Sequence, residues 1–343
     1  MADVVEHRKW SRLVRGRDFG PIWGASGVQG FFGEGYWFHW LLRLATGFIF
    51  FTFRGVTFVA KTTTLNANKG NMPLGSDGTR PKELMPRCIA VGFRKRWVVN
   101  AIGLSGPGFG PLISSGKWQK RKEPFMISFM SIGKTREERL QELREFAHGL
   151  TGEAFNAGWN LENSVALQWN VSCPNVGLST DELVLELDEG LEILSDLPLP
   201  VLIKFSPLVP VSVLKRIDEH PRCDGFVIGN SIGLADVPLA IWQECFSSLE
   251  SPVADAVSPR NVNAGALSAT DYNRAMACQL IYRARQAGVS KHINGIGGTR
   301  HWRHVDEFYW AGASSVSLSG GVTILAPWRA RSVIRRAWHL FPK

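Results

Sequence analysis

A chain of 343 residues, 45% hydrophobic and 20% charged, is long enough to bury a full core as one large α/β barrel or two medium domains. Its net charge of +9 suits an anionic ligand, a phosphate-bearing cofactor or an anionic surface. Much of the surplus sits at the ends, in a basic N-terminal segment 1–19 and in Arg329, Arg331, Arg335 and Arg336, which argues against a nucleic-acid site. The five cysteines (Cys88, Cys173, Cys223, Cys245, Cys278) form no C-x-x-C pair, which argues against a zinc site or an iron–sulfur cluster held by this chain alone and fits a reducing, cytoplasmic compartment. The charged start has no signal-peptide pattern. The most apolar stretch, 36–60, is broken by His39, Arg43 and Arg54, so no integral membrane segment is expected.

In chain order, Pro21-Ile22-Trp23-Gly24 reads as a strand ending in the small residues Ala25, Ser26 and Gly27, which let a planar ligand or phosphate come close to the backbone. Residues 36–45 have helical spacing, and a strand at 55–60 delivers Lys61. An ammonium at the end of a buried strand calls for an anion or acceptor. The pair 88–93 and 96–99 reads as a hairpin leading into Asn100-Ala101-Ile102-Gly103-Leu104. After the strand 125–132 comes a helix at 136–148, with Leu140, Leu143 and Phe146 on one face.

The apolar run Val165-Ala166-Leu167-Gln168-Trp169 then closes on Asn170-Val171-Ser172-Cys173-Pro174-Asn175, where Pro174 stiffens the loop that carries the thiol. A helix at 181–197 precedes a strand that delivers Lys204, and the next strand, 225–229, delivers Asn230 and Ser231. Residues 233–267 read as a long loop region. Helix 270–287, a strand ending at Gly297-Gly298, helix 302–311, a strand ending at Ser319-Gly320 and a terminal helix complete the chain.

Every strand hands polar or glycine residues to the loop that follows it. An open doubly wound sheet would concentrate them at one switch point, whereas a closed (β/α)8 TIM barrel gathers them at a single mouth, so residues 1–343 are expected to form one such barrel. The last two strand ends are where such barrels commonly hold a phosphate on backbone N–H groups. The mouth would gather Lys61, Lys204, Asn100, Asn170, Asn175, Asn230, Ser231 and Cys173. With no carboxylate in the set, glycosidase and metal-hydrolase chemistry are disfavoured. Carboxamides and hydroxyls suit a ring of alternating C=O and N–H groups, and the thiol can serve as nucleophile or proton-transfer group.

These motifs resemble the dihydroorotate dehydrogenase family: Asn170 to Asn175, Lys61-Thr62-Thr63-Thr64, Asn100 to Leu104, Asn230-Ser231-Ile232-Gly233 and Gly295-Ile296-Gly297-Gly298, in the family's order over nearly the whole chain. The resemblance implies an FMN-binding barrel that oxidises L-dihydroorotate to orotate in pyrimidine synthesis, with Cys173 as the base for the C5 proton. It implies that Asn100, Asn170, Asn175, Asn230 and Ser231 hold the pyrimidine and its carboxylate, with backbone N–H groups of Gly103 and Leu104. Lys61 would lie between substrate and flavin, Lys204 beside the flavin with Ala25, Ser26 and Gly27, and Gly297, Gly298, Ser319 and Gly320 at its phosphate. Cysteine as base resembles the class 1 members, which implies a homodimer and leaves room for an electron-transfer partner subunit.

The chain departs from the family pattern in three places. The usual Gly-Gly-Leu-Ser-Gly is here Gly265-Ala266-Leu267-Ser268-Ala269; the run 47–53 is unusually aromatic, suggesting a partner or membrane-facing patch; and 233–263 reads unlike class 1, leaving the electron acceptor open. Two other readings stand beside this one: a related FMN barrel reducing another pyrimidine, free or in tRNA, and a non-catalytic barrel used as a binding module.

Overall fold

Alternation within the strands decides the architecture. The computed structural model describes residues 10–45, 51–159, 161, 165–171, 180–257, 264–341 and 343. Eight parallel strands form the central sheet: β1 (Ile22–Gly24), β2 (Phe58–Val59), β3 (Phe125–Phe129), β4 (Val165–Asn170), β5 (Val201–Phe205), β6 (Gly225–Ile228), β7 (His292–Gly295) and β8 (Ser315–Leu318). They run in the spatial order β1-β8-β7-β6-β5-β4-β3-β2. The ring closes where Trp23 pairs with Thr57, through Gly24 N–H to Thr57 O at 2.8 Å and Thr57 N–H to Ile22 O at 2.9 Å.

A helix follows each strand: α1 (Trp37–Ala45), α2 (Phe109–Ser114), α3 (Arg136–Asn156), α4 (Thr180–Ile193), α5 (Val211–Asp218), α6 (Asp271–Gln286), α7 (Trp302–Ala311) and α8 (Ala330–Leu340). The fold is the expected (β/α)8 TIM barrel.

Outward-facing strand residues such as Phe125, Ile127, Phe129, Leu167, Ile203, Phe226 and Val316 pack with the helices in one large apolar layer. Each fully buried side chain of this size stabilises the fold by roughly 2 kcal/mol. Inward-facing residues form a second, smaller cluster of Trp23, Val59, Met126, Ala166, Leu202 and Val227. Val14 and Phe19, on and beside a short hairpin (Leu13–Val14 with Arg17–Asp18), join this cluster. Helix α3 runs eight residues past the 148 expected from sequence, to Asn156. A Cβ at Gly149 would lie 3.1 Å from Phe109 Cε1, so the glycine within the helix admits α2 at close range. Arg139 on α3 clamps Glu186 on α4 with bonds of 2.7 and 2.5 Å.

A second, antiparallel sheet has the order Ile232–Gly233, Ala266–Ser268, Trp97–Asn100, Ile89–Gly92. Two of its strands come from the β2–α2 connection and two from the β6–α6 connection. Its own apolar cluster includes Val99, Ile232, Trp242, Phe246 and Leu267. The region 233–267 therefore differs from the long loop expected: it carries a helix at Leu239–Cys245 and the strand Ala266–Ser268. Seven helical residues behind Pro238 are too few for a visible period, and the strand forms only through its non-local pairing with residues 98–100. Among the described residues no helix is long and apolar enough to cross a membrane.

Candidate active site

Alternation fills the upper part of the barrel with polar groups. On β3 and β4, Ser128, Gln168 and Asn170 face inward between apolar neighbours, as do Lys204 on β5, Asn294 on β7 and Ser317 on β8, and all six are buried. They form chains. Lys204 Nζ donates to Ser26 Oγ at 3.0 Å, Thr62 Oγ1 donates to Ser26 Oγ at 3.2 Å and bonds Ser128 Oγ at 2.9 Å, and Ser128 reaches Gln168 Oε1 at 3.5 Å. Ser317 Oγ donates to Asn294 Oδ1 at 2.7 Å, and Asn294 Nδ2 donates to Ser315 Oγ at 2.8 Å. Below them His292, kept neutral by burial and the Arg285 charge with a pKa of about 3, stacks on Trp23.

Both lysines stand in this dry interior. Burial alone pulls Lys204 down to about 8. Burial also pulls Lys61 to about 8, against the opposing influence of Cys88 and Glu34. Both remain cationic at neutral pH, which favours an anion or a partial negative charge beside each. Lys61 donates to the Ser105 carbonyl and lies 4.6 Å over the Phe31 ring, tying the end of β2 to the loop after Asn100.

In that loop Gly103 and Leu104 have φ of 65 and 58, two consecutive left-handed residues. Among the described hydrogen bonds neither N–H reaches a protein acceptor. Leu104 holds this conformation at a steric cost that glycine avoids. The loop is braced from below, with Asn68 Nδ2 on Gly103 O at 2.8 Å and Asn71 Nδ2 on Ala101 O at 2.8 Å. Asn100 ends the strand Trp97–Asn100, opposite Ile89 on one side and Ala266 on the other. Across the mouth Asn230 Nδ2 donates to Asn170 Oδ1 at 3.2 Å, and Asn230 Oδ1 accepts from Ser231 N–H at 3.1 Å.

At the ends of β7 and β8 lie Gly297, Gly298, Ser319 and Gly320. The hydroxyls of Ser319 and of neighbouring Thr299 are buried and, among the described residues, have no hydrogen-bond partner. Unpaired buried hydroxyls beside glycine backbone fit a ligand rich in acceptor oxygens, such as a phosphate. Gly298 is fixed in place: its φ is 60, a Cβ there would lie 2.1 Å from Thr270 O, and its carbonyl accepts from Arg274 Nη1 at 3.2 Å. Ala269, where the family pattern has glycine, takes φ 65 and presents its carbonyl to Arg300 Nη1 at 2.5 Å.

On the side of β1, Ala25 N–H donates to Leu318 O at 2.7 Å, and Gly27 has a φ of 94. Thus Lys204, Ser26 and Thr62 form one connected group, Asn170, Asn230 and Ser231 another, and Lys61 reaches the Gly103–Leu104 loop. Cys173 and Asn175 lie outside the described residues, as does the aromatic run 47–53 for its first four positions. Sequence reasoning gave no site role to Thr62, Ser128, Gln168, Asn294, Thr299 or Ser317. The signal was present: on a barrel strand, a polar residue two positions from an inward residue also points inward, as Gln168 does beside Asn170. Among the described residues no group of three or more His, Cys, Asp or Glu is placed to hold a metal ion.

No protein-family model matches the chain. Curated proteins do. The catalytic subunit of dihydroorotate dehydrogenase B (NAD(+)) from Anoxybacillus flavithermus is 27% identical over 323 residues, 92% of this chain and 85% of the relative. The protein of that name from Geobacillus sp. (strain WCH70) is 28% identical over 250 residues, 69% of this chain and 68% of the relative. Its namesake from Bacillus cereus (strain G9842) is 25% identical over 247 residues, 69% of each chain. The likeness first carried by scattered motifs thus extends along most of the chain: it is similar to the catalytic subunits of dihydroorotate dehydrogenase B.

Proposed function

We propose that this chain is an FMN-dependent oxidoreductase that converts L-dihydroorotate to orotate in pyrimidine biosynthesis. The observation that carries the reading is the convergence of two buried lysines and the Asn170–Asn230 pair at one barrel mouth, in a chain similar to dihydroorotate dehydrogenase catalytic subunits. The donor set fits FMN. The Ser319 and Thr299 hydroxyls and the backbone of Gly297, Gly298 and Gly320 suit its phosphate, and Lys204, with Ala25, Ser26 and Gly27, suits the electron-rich edge of its ring. FMN, when bound, supplies the hydride acceptor for C6 of the substrate.

The chain's own residues do the rest. Asn100, Asn170, Asn175, Asn230 and Ser231 present amide and hydroxyl groups matched to the alternating C=O and N–H edge of the ring. The N–H groups of Gly103 and Leu104 receive the carboxylate, and Lys61 adds its charge beside it. Cys173 takes the proton from C5 as the C6–H bond breaks, leaving the C5=C6 double bond of orotate. The names of the relatives favour a separate electron-transfer subunit with NAD+ as final acceptor, and we extend this to a cytoplasmic homodimer of single-domain barrels.

The test is anaerobic absorbance at the flavin bands of the FMN-loaded protein, before and after L-dihydroorotate. Bleaching that slows by about a hundredfold or more in Cys173→Ser and Cys173→Ala supports the reading. A yellow protein that dihydroorotate leaves unbleached refutes the substrate and turns attention to another pyrimidine.

A further inference from the structure

Helix α1 faces the wrong way for a helix of a globular protein. Trp37, Trp40, Leu41 and Leu44 fall at i, i+3, i+4 and i+7, the spacing of a core-facing stripe. Yet these four are 44%, 61%, 45% and 59% exposed. The helix is fastened by its other side. His39 is buried, with its ring 4.9 Å from that of Phe51 and 5.4 Å from that of Phe53, and its Nδ1 accepts the Tyr36 N–H at 3.2 Å. With His39 inside, the stripe is held in solvent.

The patch extends onto a second segment. Trp37 Nε1 donates to Leu84 O at 2.7 Å, bringing up Leu84 and Met85, which are 68% and 84% exposed. Its surroundings are basic. Residues 37–57 contain no Asp or Glu, and flanking Leu84 and Met85 stand Lys82 and Arg87 against the single acid Glu83. Both of those cations are exposed. The patch also borders the mouth: the loop leading into α1 gives Gly30 O to Lys61 N–H at 2.9 Å and lays Phe31 under the Lys61 ammonium.

We propose that α1 and the Leu84–Met85 loop dock the protein on an anionic lipid surface, with the barrel mouth beside the bilayer. Tryptophan and leucine on one face of a short amphipathic helix are the residues that enter the headgroup–acyl boundary, and a basic surround supplies attraction to anionic headgroups. The helix is about 13 Å long, so it would lie in the interface without crossing it. A protein partner would bring its own charges and shape. A lipid surface needs only this combination of an apolar stripe and a surround of one sign, and that is what charge complementarity favours here. The inference does not depend on the substrate proposed above.

The experiment is co-sedimentation of the full chain with vesicles of phosphatidylcholine alone or mixed equally with phosphatidylglycerol. Quenching of tryptophan emission by brominated acyl chains is read in parallel. Expected are binding to the anionic vesicles only, and quenching that Trp40→Phe reduces. A partition coefficient at least tenfold lower in Trp40→Glu and in Leu44→Glu is also expected, with Trp310→Glu, at the far end of α7, unchanged. Both tested side chains are exposed, so folding is retained and is checked by circular dichroism. Three results would overturn the proposal: no binding to anionic vesicles, equal loss in Trp310→Glu, or a dimer in light scattering that Trp40→Glu dissociates, which would assign the patch to a second copy of this chain.

Discussion

Replacing Lys204 by methionine should make the flavin-free protein more stable. Folding moves this ammonium from water into the barrel, where burial lowers its pKa from 10.5 to about 8, and that displacement corresponds to about 3 kcal/mol. Methionine has similar length and carries no charge, so the variant escapes the penalty. It also removes a donor from Ser26 Oγ, worth about 1 kcal/mol, which leaves a net gain of about 2 kcal/mol at pH 7. The sign with pH follows from proton counting. Between about 8 and 10.5 the unfolded chain holds the lysine proton and the folded protein has released it, so the stability of the parent rises through this window and the advantage of the variant shrinks, to near zero by pH 10. Urea unfolding of the flavin-free proteins at pH 7 and pH 10 measures both quantities. A Lys204→Met protein less stable than the parent at pH 7, or a difference independent of pH, would refute the reasoning. In the same variant FMN affinity is expected to fall at least tenfold, separating what the lysine does for the ligand from what it does to the fold.

The other predictions concern neighbouring parts of the site and scaffold. Asn230→Ala removes the donor to Asn170 and is expected to raise KM for dihydroorotate by roughly tenfold to a hundredfold while leaving the flavin spectrum unchanged, as steady-state kinetics would read. Gly298→Ala forces a Cβ to within 2.1 Å of Thr270 O at a φ of 60, so it should cost about 2 kcal/mol and reduce bound flavin, measured by thermal melting and by the absorbance ratio of purified protein. Arg139→Ala strands Glu186 half-buried between α3 and α4 and should lower stability by about 3 kcal/mol. Arg136→Ala, at the exposed pair with Glu189, should leave the melting midpoint nearly unchanged, and equal effects from the two would count against the burial argument.

Much of the barrel could be read from the chain because its information is local. Apolar strands that end in Lys61, Asn170, Lys204 and Asn230 announce a common mouth, and the hairpin before Asn100 follows from its own pattern. The sheet over that mouth was not legible. It joins residues 98–100 to 266–268, and nothing near Ala266 in sequence signals a partner 166 positions away. The inward layer of Ser128, Gln168, Asn294 and Ser317 was overlooked for a different reason. One polar residue within an apolar run looks like noise until the ring is closed and its neighbours on the adjacent strands are found pointing the same way. Helix α1 was legible from its spacing, but which of its sides is inside was not, since that rests on the position of His39.

The antiparallel sheet shares no strand with the barrel, and this has a consequence for inheritance. The connection after β2 supplies Asn100, and the one after β6 carries Asn230 and Ser231; neither could be exchanged alone. A new segment after β6 would strip the strand Trp97–Asn100 of its neighbour Ala266–Ser268, leaving an open edge above the mouth. Lineages that change the ligand at this mouth are therefore expected to replace both connections as a pair. The floor formed by Lys204, Ser26, Gly298 and Ser319 can stay untouched beneath a renewed roof.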